Sequence, residues 1–111
     1  MDRSQLLRGA LDAAVLAVVA GQDGYGYDVL RRLRASGLPD VGDASVYGTL
    51  RRLYRGGALT SYVVPSDEGP HRRYYGITDR GREQLAEARA SWRDFARALD
   101  AILETDVEVP A

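Results

Sequence analysis

The 111-residue sequence has no cysteine, no lysine and a single histidine, His71. Without cysteine there is no disulfide, thiol nucleophile or thiolate metal site, and one imidazole cannot build a multi-histidine centre. Redox and zinc chemistry are thereby excluded, and no cofactor or metal is expected. A glycine-rich phosphate loop, a nucleophile with a plausible base and a carboxylate pair at a recognisable spacing are all missing too, which argues against an enzyme. No apolar run approaches the roughly 18 to 20 residues needed to span a bilayer. The opening MDRSQLLRGALDAAVLAVVAG carries Asp12 inside its apolar part and lacks a signal-peptide cleavage pattern. A soluble cytoplasmic protein with no membrane partner is expected. The lack of lysine carries no functional weight, because a compositional bias toward Arg, Ala and Gly explains it as well as a need for guanidinium geometry does.

What remains is enough for one small domain, with 45% hydrophobic residues. Leu6 to Ala20 is apolar nearly all round, with Leu7, Leu11, Ala14, Val15 and Val18 on one face and Ala10, Ala13, Leu16 and Ala17 on others. Such a helix is covered on more than one side, and a second subunit is expected to supply part of that cover. Gly21 stops it. GQDGYGYD reads as a turn, after which Tyr27, Leu30, Leu33 and Arg34 begin a second helix that ends near Ser36-Gly37. Pro39 marks the next loop. Asp43 or Ser45 can cap a third helix, ASVYGTLRRLYRGG, whose Val46, Leu50 and Leu53 form a buried stripe and whose Gly56-Gly57 ends it.

LTSYVV, from Leu59 to Val64, and RRYYGI, from Arg72 to Ile77, are β-rich runs separated by turn material, a β-hairpin. Three helices followed by a hairpin make a winged helix-turn-helix, a fold that is mainly α with a β-hairpin. This arrangement gives a role to the basic run in EGPHRRYYGITDRG. A local basic surface can bind nucleic acid although the chain carries a net charge of −1, because Asp100, Glu104, Asp106 and Glu108 place the surplus acid near the C-terminus. The last helix starts at Thr78 or Asp79, either of which can cap it. Its Leu85, Ala88, Trp92, Phe95, Leu99 and Ile102 recur at alternating spacings of three and four, a heptad seam that predicts a homodimer interface.

The chain resembles the PadR-like transcriptional regulators, specifically the short members that end in a single C-terminal helix. The resemblance rests on GYGYDVL, DASVYGTLRRLYRGGAL and the wing GPHRRYYGITDRG, and it spans almost the whole chain. It implies a dimeric bacterial repressor of a palindromic operator on double-stranded DNA, released in some members by a small molecule. It also implies that Trp92 and Phe95, with their two-fold mates, line a slot for a flat aromatic effector; read from the residues alone, Trp92 is the largest side chain of the seam. Two departures from the family pattern matter. His71 stands where a basic residue is common, and Asp67 with Glu68 makes the wing tip acidic, so DNA contacts are expected on the wing's strands.

Candidate DNA-contacting residues follow. Ser45, Tyr47 and Thr49 near the start of the third helix would approach base edges or backbone, with Arg51, Arg52 and Arg55 as phosphate clamps or guanine readers. Taken alone, the three arginines read first as a solvated helix face, and Tyr47 is open to a reading as internal packing; the winged context turns the arginines toward DNA. Arg72 and Arg73 on the wing strand serve phosphates; His71 beside them, too isolated for a catalytic base or metal ligand, reads first as a polar turn residue and only secondarily as a DNA contact with a mild pH dependence. Tyr74 and Tyr75 point to opposite strand faces, one toward the core and one exposed. Gly81 allows close packing in the last helix's first turn. The expected organisation is a DNA-binding domain over 1–77, a dimerisation helix over 78–104 and a disordered tail over 105–111. The alternative from another class is a protein-interaction module that dimerises through the same helix while its arginines only solubilise it.

Overall fold

Four helices and three strands follow one another along the chain: α1 (Arg3–Gly21), β1 (Gly24–Tyr25), α2 (Gly26–Ala35), α3 (Asp43–Arg55), β2 (Leu59–Val64), β3 (Arg72–Ile77) and α4 (Asp79–Glu104). The structure is a computed structural model that describes residues 3–67 and 69–105, with side chains from Gly9 onward. The wing-tip Glu68, the side chain of Leu7, the acids Asp106 and Glu108 and the expected tail beyond Thr105 lie outside the described residues.

Apolar spacing of three and four residues places one face of each of the first three helices in a common core. Leu11, Val15, Leu16 and Val19 of α1 meet Val29, Leu30 and Leu33 of α2 and Val46, Leu50 and Leu53 of α3. Each fully covered Val or Leu contributes about 1.5–3 kcal/mol relative to exposure. The opposite side of α1 carries small residues: Ala10, Ala13 and Ala14 are half-buried and Ala17 is exposed. Among the described residues no second element closes over that side completely.

Arg34 ties the turn from α2 to α3. Its Nε and Nη2 donate to the Val41 carbonyl at 3.2 and 3.0 Å, and Nη2 also reaches Asp43 Oδ1 at 3.0 Å. The N-cap of α3 is Gly42, with no side-chain cap, in place of the expected Asp43 or Ser45. Asp43 is already inside the helix, where its carboxylate faces the positive end of the helix dipole and the Arg34 guanidinium. Gly56 is the C-cap of α3, and Gly57 follows in the left-handed region at φ 83°, which lets Ala58 N–H return to Leu53 O at 2.9 Å.

The sheet is antiparallel with order β1-β3-β2. GQDGYGYD is therefore more than a turn: Gly24 and Tyr25 pair with Tyr75 and Tyr74 and add a third strand to the hairpin. The period of two along β3 buries Tyr75 and leaves Tyr74 on the other face. Tyr74 is half-buried, not exposed, because the rings of Tyr62 and Tyr25 lie beside it at centroid distances of 5.8 and 5.5 Å.

Thr78 caps α4 by accepting from Gly81 N–H at 3.0 Å, and its own backbone N–H donates to Ala58 O at 3.1 Å. A Cβ on Gly81 would overlap that same Ala58 carbonyl oxygen, so only glycine permits the contact. Leu85 is buried against the domain, and beyond Ala88 the helix leaves it, every residue from Arg89 to Thr105 except Ala96 being exposed. At about 1.5 Å per residue the helix is close to 39 Å long. Among the described residues no helix is long and apolar enough to cross a membrane.

Candidate nucleic-acid interface

The core stripe of α3 decides which of its residues face outward. With Val46, Thr49, Leu50 and Leu53 buried, the exposed side carries Ala44, Ser45, Arg51, Arg52, Tyr54 and Arg55, with Gly48 at its edge. Thr49 is a correction to the sequence reading. It is 4% exposed, and its hydroxyl donates to Ser45 O at 2.7 Å, so it packs inside and reaches no partner beyond the chain. It directly precedes Leu50 of the core, and helical geometry carries it inward with that neighbour.

α3 and the wing enclose a cleft of about 440 Å³ whose walls include Tyr25, Tyr47, Arg51, Arg72 and Arg73. Tyr47 packs its ring across the start of α2, where a Cβ on Gly26 would sit 2.6 Å from Tyr47 Cε1. The packing alternative considered for Tyr47 thus holds along one edge of a ring that also lines the cleft. Arg72 lies over the Tyr25 ring, its guanidinium carbon 4.6 Å from the centroid. Arg73 donates to Ser61 Oγ at 3.1 Å. Both are exposed, as is His71, which precedes the strand and does not line the cleft.

The arginines differ in what holds them. Arg52 pairs with Asp12 of α1, Nη2 to Oδ1 at 2.6 Å, and is therefore partly committed within the chain. Arg32 donates to Val18 O at 3.1 Å and lies 3.2 Å from Asp28 Oδ2, so it braces α2 against α1. Arg51, Arg55, Arg72 and Arg73 have no carboxylate within ion-pair distance among the described residues. Arg51, Arg72 and Arg73 line the one cleft, and Arg55 lies a helical turn on from Arg51, so positive charge gathers on this side although the chain as a whole carries a net charge of −1. Their planar donor forks suit phosphate oxygens and guanine edges.

Residues 15–87 match the model of the transcriptional regulator PadR-like family. The chain belongs to this family. Two solved structures agree with it at 31% identity: a PadR-like transcriptional regulator from Bacillus cereus, with a TM-score of 0.81 over 92% of this chain and 99% of that one, and a PadR family regulator from Eggerthella lenta, with a TM-score of 0.83 over 92% and 88%. An uncharacterized protein of Lysinibacillus sphaericus is 28% identical over 106 residues, which are 94% of this chain and 97% of that one. This PadR-like protein is a DNA-binding transcriptional regulator, and members of its family are regulators rather than enzymes.

A second feature of this PadR-like chain is an apolar groove of about 420 Å³ between α1 and α4, floored by Gly9, Ala10 and Ala13 and walled by Ala88, Trp92 and Phe95. Trp92 and Phe95 stack at 5.8 Å with an interplanar angle of 25°. They are 48% and 58% exposed, and Leu99 and Ile102 continue the same seam at 40% and 67%. Leu85 does not belong with them: at 4% exposed it is part of its own chain's core, because the first two turns of α4 still lie on the domain.

Sequence reasoning missed Tyr25 as the support for Arg72 and Asp12 as the partner of Arg52. Nothing local signals the first, because Tyr25 belongs to a two-residue strand that forms only where β3 offers an edge. Nothing local signals the second, because the two residues are forty positions apart.

Proposed function

We propose that this protein is a homodimeric repressor that binds a palindromic operator on double-stranded DNA and leaves it when a flat aromatic effector binds. Residues 1–77 would form the DNA-binding unit and 78–104 the dimerisation helix. The observation that carries the reading is the set of uncompensated arginines, Arg51, Arg72 and Arg73, that line one cleft formed by α3 and the wing. Two α3 helices from a dimer would enter successive major-groove segments about 34 Å apart, with Ser45 and Arg51 at base edges and the wing arginines on flanking phosphates.

The exposed seam of Ala88, Trp92, Phe95, Leu99 and Ile102, together with the small-residue side of α1, supplies a self-complementary surface for the second copy. Apolar side chains at this density on an exposed helix favour an interface over solvent. An aromatic ligand between Trp92, Phe95 and their two-fold mates would act only by favouring a dimer geometry that mismatches the operator, since an effector shifts an equilibrium by its differential affinity alone.

Selection of bound sequences from a random duplex pool, followed by binding at two salt concentrations, tests the reading. An inverted repeat should be enriched, and affinity should fall on the order of a thousandfold between about 50 and 200 mM salt if about six or more phosphates are neutralised. No enriched motif, or affinity indifferent to salt, would overturn it.

A further inference from the structure

Gly81 and Gly26 are glycines that the chain itself requires, because a side chain there would collide with Ala58 or Tyr47. Gly48 has no such reason. It stands inside α3 in ordinary helical conformation, and a Cβ added to it would meet nothing within 4 Å. Glycine weakens a helix interior relative to alanine because it gives up more backbone freedom on ordering. Among the described residues no contact offsets that loss.

The surroundings show what an absent side chain leaves behind. Gly48 lines a shallow depression of about 340 Å³ between α1 and α3, bounded by Ala44, Ser45 and the Asp12–Arg52 ion pair. Arg51 and Arg55, three and seven positions on, project from neighbouring parts of the exposed surface. A helix that lies in a major groove meets hydrogen-bonding base edges and one apolar projection, the thymine C5-methyl. A small hollow beside Arg51 and Arg55 has room for that projection against Ala44 and the bare Gly48 backbone.

Resting on the DNA-binding reading above, we propose that Gly48 is a specificity-determining position whose missing side chain lets the α3 backbone close onto a thymine, with the C5-methyl seated in the depression. The discrimination is steric. Any side chain at 48 would hold the helix off that base pair, while the arginine contacts to phosphate would survive with little change.

The experiment compares wild type with Gly48→Ala and Gly48→Gln, both good helix formers, by thermal melting, by selection from a random duplex pool and by titration of the selected operator. The melting temperature of Gly48→Ala should rise by about 2–6 °C. Its affinity for the wild-type operator should fall on the order of tenfold, with the weakened preference confined to a thymine in each half-site. Replacing that thymine with uracil, which deletes only the methyl, should weaken wild type several-fold and leave Gly48→Gln nearly unaffected. Wild type that enriches no motif would remove the DNA reading and this proposal with it. Wild type with a motif, but with Gly48→Ala giving the same motif and affinity, or a uracil operator bound as well as a thymine one, would overturn the assignment of Gly48 alone. A lower melting temperature for Gly48→Ala would overturn it too, by exposing a structural need for glycine.

Discussion

Tyr62 donates to Asp23 Oδ2 at 2.6 Å, and this bond pushes the phenol above its usual value, with desolvation and the carboxylate's charge adding to the effect. The donor is the neutral phenol, so the hydrogen bond is fully formed below the ordinary tyrosine value of about 10 and disappears as pH rises through the raised folded value. Ultraviolet titration should therefore show one tyrosine ionising later than its neighbours in wild type, and Asp23→Asn should bring it back toward them; unchanged titration would contradict the bond. Gly81 yields the other prediction at this scale. Gly81→Ala forces a methyl into the Ala58 carbonyl, a backbone group that cannot swing aside, and should destabilise the protein by about 1–3 kcal/mol or more in chemical denaturation. At single residues the sequence was a fair guide to type and a poor one to partner. Thr78 was legible as a cap because capping is a local act. The inward turn of Thr49 was less so, since Ser, Thr and Tyr on one short stretch all suit a polar interface.

Among the elements, α3 and the wing would divide the work of holding DNA. Arg72 and Arg73 sit at the start of β3, where they pair with Val64 and Val63 of β2, and Tyr25 of β1 lies under Arg72. Substituting both with alanine should weaken binding to all duplexes by similar factors and lower the salt slope by about two, one for each phosphate no longer neutralised. Arg51→Ala should instead relax preference at one base position while leaving the slope nearer its original value. Equal loss of specificity from both variants, measured by competition among duplexes, would refute this division of labour. The hairpin and the three helices were readable from periods of two and between three and four. The strand at Gly24 and Tyr25 was not, because two residues have no period, and they become a strand only where β3 offers an edge.

For the whole molecule, the open question in the sequence was where a long, seam-bearing helix would find its cover. α4 uses Gly81 and Leu85 to attach to its own domain and then carries Trp92, Phe95, Leu99 and Ile102 outward. Because Leu99 and Ile102 are exposed within the chain, changing both to aspartate should leave the fold intact while blocking dimerisation. Sedimentation should then report a monomer, and operator affinity should drop on the order of a hundredfold or more as the advantage of joined half-sites disappears. A monomeric wild type, or a double variant that still sediments as a dimer, would contradict the proposed interface.

The sequence by itself determined the order of the four helices and the hairpin, the core stripe of α3, the stop at Gly56-Gly57 and membership of a winged-helix family. All of these follow from spacing along the chain or from motifs within one stretch of it. The faces that α1 and α2 turn inward came out differently, with Leu16, Val19 and Val29 buried and Tyr27 exposed. Tertiary structure alone decided which arginines are left uncompensated. Arg51 and Arg52 are adjacent and identical, yet a carboxylate forty residues away engages one and leaves the other in the cleft. Charge partners, buried hydroxyls and the room around a glycine are properties of neighbours in space, and helix packing brings those neighbours together from parts of the chain that carry no mark of each other.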